Sequence, residues 1–371
     1  GMRDASDALP LAHAATRVAE RAGDDARRAA QQLRWEIFDR GVSDRRLLLA
    51  LDVDARADRD WPRAERVSRA LAANAMDPAE RSAHWSRVAL AAEAERSLPR
   101  ASEAYSAAIE ASPGVASLLG AARVAAARGE TVASIAYRER AAMEIQTLGL
   151  STDALTAAAR AWHEEASDAE RAMAAVVEAM RRDPGHQGAF TLALELLDES
   201  PEPALELDVI SAYLAARSAD LAPADAVAIY LRGAAAAERV EDLDRARTFL
   251  RAVTALDHEH VEALRALVRL SDRAEDWSGA ADARIRLAKS STDGAERLEL
   301  LLELGDLFDG RLGDAKRAEA AWRRVAQAAP NDPRPWDRLS RFYERSGEAA
   351  REVEARKVLL SRARTPADRA G

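Results

Sequence analysis

Apolar residues recur along this chain at spacings that belong to one face of a helix. Ala101, Tyr105 and Ala108 follow one another at +4 and +3, and Pro113 stands five residues further on. The same spacing returns at Ala172, Val176, Ala179 and Pro184, and again at Ala318, Trp322, Val325 and Pro330. Looser copies are Ala64, Ser68, Leu71 and Met76, and Ala246, Leu250, Val253 and His258. Side chains three and four apart are neighbours on a helix surface. A proline just beyond them cannot continue the helix and marks its end.

A second apolar set, at i, i+3, i+4 and i+7, precedes these copies and predicts a partner helix. Trp85, Val88, Ala89 and Ala92 stand before the Ala101 copy, and Leu155, Ala158, Ala159 and Trp162 before the Ala172 copy. Leu301, Leu304, Gly305 and Phe308 precede Ala318, and Trp336, Leu339 and Tyr343 open a last set after Pro330. Short turn signals stand between partners: Gly23-Asp24, Gly129-Glu130, Gly313-Asp314 and Gly347-Glu348. The copy around Ala172 is one residue short between its helices, and the copy around Ala318 one residue long. The stretches 113–150 and 200–224 depart furthest from the pattern. Helix pairs are expected at 8–40, 45–78, 82–114, 115–148, 152–186, 187–222, 227–260, 261–294, 298–332 and 333–362.

The unit resembles the tetratricopeptide repeat (TPR), whose pattern is W-x2-L-G-x2-Y, then A-x3-F, then P, over about 34 residues. Leu304-Gly305-x-x-Phe308 and Trp336-x-x-Leu339 match its first half. Ala318-x3-Trp322 and Ala101-x3-Tyr105 match its second. The fold expected is all-α: an α-α superhelix, a TPR-like solenoid of about ten helix pairs over residues 1–362, with a polar tail at 363–371. Small residues such as Ala101 and Ala318 let two helices approach, and large ones such as Tyr105 and Trp322 fill the space against the next unit. No unit buries its apolar face alone, so neighbours must stack. Two stretches carry break signals that would kink the array, near 147–151 and near 199–204. An ordinary inter-helix turn is the plainer reading of each.

Composition supports helices. Of 371 residues, 48% are apolar and 32% charged, enough core material to exclude wholesale disorder. Ala fills about a quarter of the chain, while Gly (17), Pro (13) and aromatics (5%) are few, as helix propensity favours. The chain has no Cys, which removes disulfides, thiolate metal sites and Cys nucleophiles and fits a cytoplasmic location. The net charge of −9 argues against sequence-independent binding to nucleic acid or to an anionic membrane. No apolar run is long enough to cross a bilayer, and the first residues lack the pattern of a signal peptide. Gly1 ahead of Met2 looks like the scar of a cleaved tag, which leaves room for a larger parent protein.

Catalytic signatures are missing. The chain has no G-x-S-x-G, P-loop, G-x-G-x-x-G after a strand, or H-E-x-x-H, so no enzyme activity, cofactor or metal is expected. His258-Glu259-His260 is the most metal-like cluster, but it falls in a turn without an evident further ligand beyond Glu262, and reads as a solvated turn. Asp52, Asp54, Asp58 and Asp60 lack the Gly and Glu of a calcium loop, where Ala57 and Arg63 stand instead, and read as a helix face running into a turn. The Trp and Tyr residues recur at helix spacing and are expected in the core.

The resemblance places function on a concave surface lined by positions two, five, nine and twelve of each first helix. In the last unit these are Arg334, Asp337, Arg341 and Glu344; in the 261–294 unit they are Glu262, Arg265, Arg269 and Asp272. Arg123 and Arg160 hold the ninth position of earlier units. Arg160, Arg265, Arg269, Arg334 and Arg341 are the expected peptide-binding residues, suited to an acidic segment or a C-terminal carboxylate through charge-assisted bonds. Against this stands the plainer reading of a solvated face in an Arg-rich chain. The Lys and Asn clamp of chaperone-binding TPR domains is absent, since the chain has only Asn74, Asn331 and three Lys, none suitably placed. The expected function is a non-enzymatic protein- or peptide-binding scaffold. The alternatives are a ligand-sensing regulatory module, or the substrate-binding part of a larger multidomain protein. Trp35, Ile37 and Phe38 in the first unit are expected to be covered by the next unit or by a second copy of the chain.

Overall fold

The computed structural model describes residues 10, 11, 13, 14, 17 and 23–363. Among them the chain divides into two compact units, one ending at Ser200 and the other beginning at Pro201. The first holds α1 (Asp24–Asp39), α2 (Arg45–Ala57), α3 (Trp61–Asn74), α4 (Pro78–Ala94), α5 (Leu98–Ala111), α6 (Val115–Ala127), α7 (Thr131–Glu144), α8 (Leu148–Glu164), α9 (Ala169–Arg182) and α10 (Gln187–Glu199). The second holds α11 (Pro203–Arg217), α12 (Pro223–Arg239), α13 (Leu243–Leu256), α14 (Val261–Arg273), α15 (Trp277–Ser290), α16 (Gly294–Leu307), α17 (Ala315–Ala328), α18 (Arg334–Ser346) and α19 (Ala349–Ala363). No strand occurs among the described residues.

Within each unit every helix packs on the next, and α4 also meets α6 as α8 meets α10. At these two places first helices of successive pairs touch, as stacked repeats require. The pairs α2–α3, α4–α5, α6–α7 and α8–α9, and in the second unit α12–α13 through α18–α19, coincide with the helix pairs expected from the spacing. Thr147 stands at the start of α8 and residues 148–151 form its first turn. The unit expected at 8–40 lies partly outside the described residues, and so does nearly all of the 363–371 tail.

The repeated residues form the core. Ala101, Tyr105 and Ala108, Ala172, Val176 and Ala179, and Ala318, Trp322 and Val325 are all buried, and so are both looser copies up to their fourth member. Two glycines show how closely the helices approach. A Cβ on Gly305 of α16 would lie 2.2 Å from Nε1 of Trp322 on α17. One on Gly120 of α6 would lie 2.2 Å from the ring of Tyr105 on α5. The array is thus an all-α stack of TPR-like helix pairs, small residue against large aromatic.

The turns inside the pairs are built alike. One residue takes the left-handed conformation and the next starts the second helix. The left-handed residue is glycine at 129, 313 and 347, but Arg59, Arg96, Ser167, Glu241 and Glu275 adopt it elsewhere. The following Asp60, Asp168, Asp242, Asp276 and Asp314 each accept a backbone N–H of the new helix in an N-cap. The backbone N–H of the same residue closes the previous helix: Asp60 donates to Ala55, Asp242 to Ala237 and Asp276 to Ser271. The extra residue of the Ala318 copy is taken up by a single π-helical turn, Phe308–Leu312, before Gly313.

Candidate functional site

The first helix of each pair packs on its partner through one side and leaves another side to solvent. In the second unit that free side is crossed by ion pairs one repeat apart. Arg269 on α14 reaches Glu238 on α12 at 2.7 Å, and Arg265 on α14 reaches Glu296 on α16 at 2.8 Å. Arg334 on α18 meets Glu299 on α16 at 2.7 Å as well as Asp332 at 2.9 Å. Arg338 bridges to Asp306 and Arg345 to Asp309, both at 2.6 Å. Arg341 pairs within its own helix with Asp337 at 3.0 Å. Four of the five arginines expected to bind peptide thus carry carboxylate partners. They remain open to water, with Arg341 73% and Arg265 55% exposed. Pairs this exposed contribute little to stability and exchange partners readily.

The first unit is built differently. Among the pairs that join its first helices, two are anchored on the carboxylates Asp52 and Glu93. Asp52 on α2, 4% exposed, accepts from Arg56 Nε at 2.9 Å, Ser68 Oγ at 3.2 Å and Arg87 of α4 at 3.1 Å. Glu93 on α4 receives two N–H bonds from Arg123 of α6, at 2.8 and 2.7 Å, and the Tyr105 hydroxyl at 2.7 Å. Burial pushes the Glu93 carboxyl up, but Arg123 and the Tyr105 hydroxyl outweigh it and hold the group below the usual glutamate range. Between these anchors the solvent side is apolar: Leu49 and Val53 on α2, Leu90 on α4 and Leu119 on α6 are all exposed. The ion pairs set their register. Val53 follows Asp52, whose partner Arg87 precedes Leu90 by one turn. Glu93 follows Leu90 by one turn, and its partner Arg123 follows Leu119 by one turn. Arg160, on α8, is exposed and has no ion-pair partner among the described residues.

Counted from the starts of the expected units at 45, 82 and 115, the apolar four occupy the fifth and ninth positions, the positions used above for the arginines. Sequence reasoning looked there for charge and passed over them. The signal that finds them is an apolar residue on the side opposite the buried i, i+3, i+4 and i+7 set.

The remaining polar clusters cap and pack. His260 Nδ1 accepts the Ala263 N–H at the start of α14, and His258 Nδ1 donates to the Thr254 carbonyl. Asp54 bonds the buried Arg34, and Asp60 caps α3. No group of three His, Asp or Glu side chains is placed to hold a metal among the described residues. No described helix is long and apolar enough to cross a membrane.

No protein-family model matches the chain, and no curated protein matches it. Among solved structures it is similar to MamA, with 16% identity over 56% of this chain and 95% of the other, at a TM-score of 0.30. MamA from Desulfovibrio magneticus gives 19% identity over 48% of this chain and 97% of the other, at a TM-score of 0.27. A tetratricopeptide repeat protein from Parabacteroides merdae gives 13% identity over 67% and 93%, at a TM-score of 0.25. Likenesses this loose transfer no ligand. The TPR-like build is read from this chain's own helix pairs, their buried repeat residues and their close Gly–aromatic contacts.

Proposed function

We propose that the chain is a non-enzymatic scaffold that holds an extended segment of a partner protein along its first helices. The observation that carries this reading is the row of Leu49, Val53, Leu90 and Leu119 on adjoining first helices of the first unit. Exposed apolar side chains in a contiguous row are costly to leave in water and characteristic of interaction sites. The segment that suits them bears apolar side chains at intervals, with an acidic group for Arg160. A repeat surface of this kind gains specificity from many modest contacts. The arginines Arg265, Arg269, Arg334 and Arg341 extend the reading to an acidic stretch, which would exchange with their present carboxylate partners.

The test is selection of a random-peptide display library on the full chain. Enriched peptides should share spaced apolar residues, and their affinity should fall about tenfold or more on Leu90→Glu with Leu119→Glu. Thermal unfolding should not change, because both side chains are exposed. Selected peptides that bind this variant and the wild type equally would overturn the apolar-row reading. Loss on Arg265→Glu with Arg341→Glu alone would move the binding face to the second unit.

A further inference from the structure

The grooves between successive second helices lie away from the side just described, and one of them is unlike its neighbour. Between α15 and α17, over α16, lies a cavity of about 360 Å³. Its floor is Ile285, Ala288, Leu301 and Leu304, all buried or half-buried. Its rim holds three cations, Lys289, Arg297 and Arg324, all exposed. No carboxylate lines the cavity, and none of the three cations forms an ion pair among the described residues. Arg297 donates one N–H to the Ser291 carbonyl at 2.7 Å and keeps its other donors.

The sequence explains the missing counter-charges. Arg324 has Ala320, Ala321, Gln327 and Ala328 at the i±3 and i±4 positions where a helix would supply an acid. Lys289 has Ile285, Arg286 and Thr292 nearby, and Asp293 is turned to cap the Ala295 N–H of α16. This is conspicuous in a chain of net charge −9 whose other arginines are so widely paired.

The next groove along the array is an internal comparison. Over α18, between α17 and α19, a cavity of about 300 Å³ is lined by Trp336, Leu339, Arg323, Arg351 and Glu354. There Arg323 and Arg351 both reach Glu319, at 3.1 and 3.4 Å. Trp336 and Leu339 stand where α16 has Leu301 and Leu304, and Gln327 where α15 has Lys289. The same groove is thus neutralised and partly filled in one pair, yet cationic and apolar-floored in the pair before it.

We propose that the cavity over α16 binds a small amphipathic anion. Its apolar body lies on Ile285, Leu301 and Leu304, and its carboxylate or phosphate head meets Lys289, Arg297 and Arg324. The volume is in the range of small-ligand sites, which combine an apolar lining with a few convergent polar groups. Three cations above a low-dielectric floor concentrate positive potential there and repel one another until an anion arrives. Guanidinium and ammonium bonds to carboxylate or phosphate are charge-assisted. This reading is independent of the peptide reading, whose carrying observation is the apolar row of the first unit.

The experiment is calorimetric titration of the full chain with decanoate and with decyl phosphate below their micelle concentrations, against decanol and inorganic phosphate. At least one amphipathic anion should bind at a single site, with decanol and inorganic phosphate each about tenfold or more weaker. Arg324→Ala with Lys289→Ala should weaken the anion about tenfold or more with thermal unfolding unchanged, since both side chains are exposed. Tighter decyl phosphate would assign a phosphate head, and tighter decanoate a carboxylate head. Decanol binding as well as decanoate, inorganic phosphate binding as well as decyl phosphate, or full binding by the double variant would each overturn the proposal. So would the absence of binding by both anions.

Discussion

Individual residues in this chain act mainly by size. Gly305 is glycine because the indole of Trp322 occupies the space its Cβ would need. Trp322 is 2% exposed and its Nε1 donates to Asp306, so it cannot swing away cheaply. Gly305→Ala should therefore destabilise the protein by about 1–3 kcal/mol, the range for overpacking a filled core. Gly310→Ala, with nothing within 4 Å of the added carbon, is the control and should be near neutral. Denaturant midpoints that coincide for the two variants would refute this account of the contact. The Gly305–Trp322 pair was legible, because both residues sit in the repeat signature. The Gly120–Tyr105 pair was not, because it joins two different pairs and no spacing rule relates them.

Elements are set by their turns. The sequence marks a turn inside a pair clearly where glycine supplies the left-handed residue, as at Gly129, Gly313 and Gly347. It hides the same turn where Arg59, Arg96, Ser167, Glu241 or Glu275 takes that conformation, which the packed helices on both sides impose. A residue with a Cβ is strained there by about 1–2 kcal/mol, offset for glycine by roughly 0.5–1 kcal/mol of extra unfolded-state entropy. Glu275→Gly, at φ 54°, should then stabilise the protein by about 0.5–1 kcal/mol, read as a higher denaturant midpoint. A lower midpoint would show that the Glu275 side chain, rather than the strain of its backbone, governs the turn. The aspartate that follows at 60, 168, 242, 276 and 314 is a second signal, since it caps the new helix after glycine and after other residues alike.

The whole molecule follows from nearest-neighbour packing. Within each unit every helix touches its successor and little else, so damage should stay local. Ala318, with no exposed surface, lies in the crossing of α16 and α17. Ala318→Trp should lower amide protection in α16, α17 and α18 while α2 to α6 keep theirs, measured by hydrogen exchange. Uniform loss along the chain would show cooperativity beyond neighbours. At this scale the sequence by itself determined the all-α class, the pairing of helices and the inward residues, because those depend on a period that repeats every pair. Tertiary structure alone decided where charge is left unpaired. Arg265 and Arg269 look like free cations in sequence, yet carboxylates about one repeat away meet them. Leu49, Val53, Leu90 and Leu119 are exposed on three separate helices that Asp52–Arg87 and Glu93–Arg123 tie together. Lys289, Arg297 and Arg324 converge from three helices. A local pattern states which side of a helix faces inward, but which side chains meet across helices depends on the packing of whole elements.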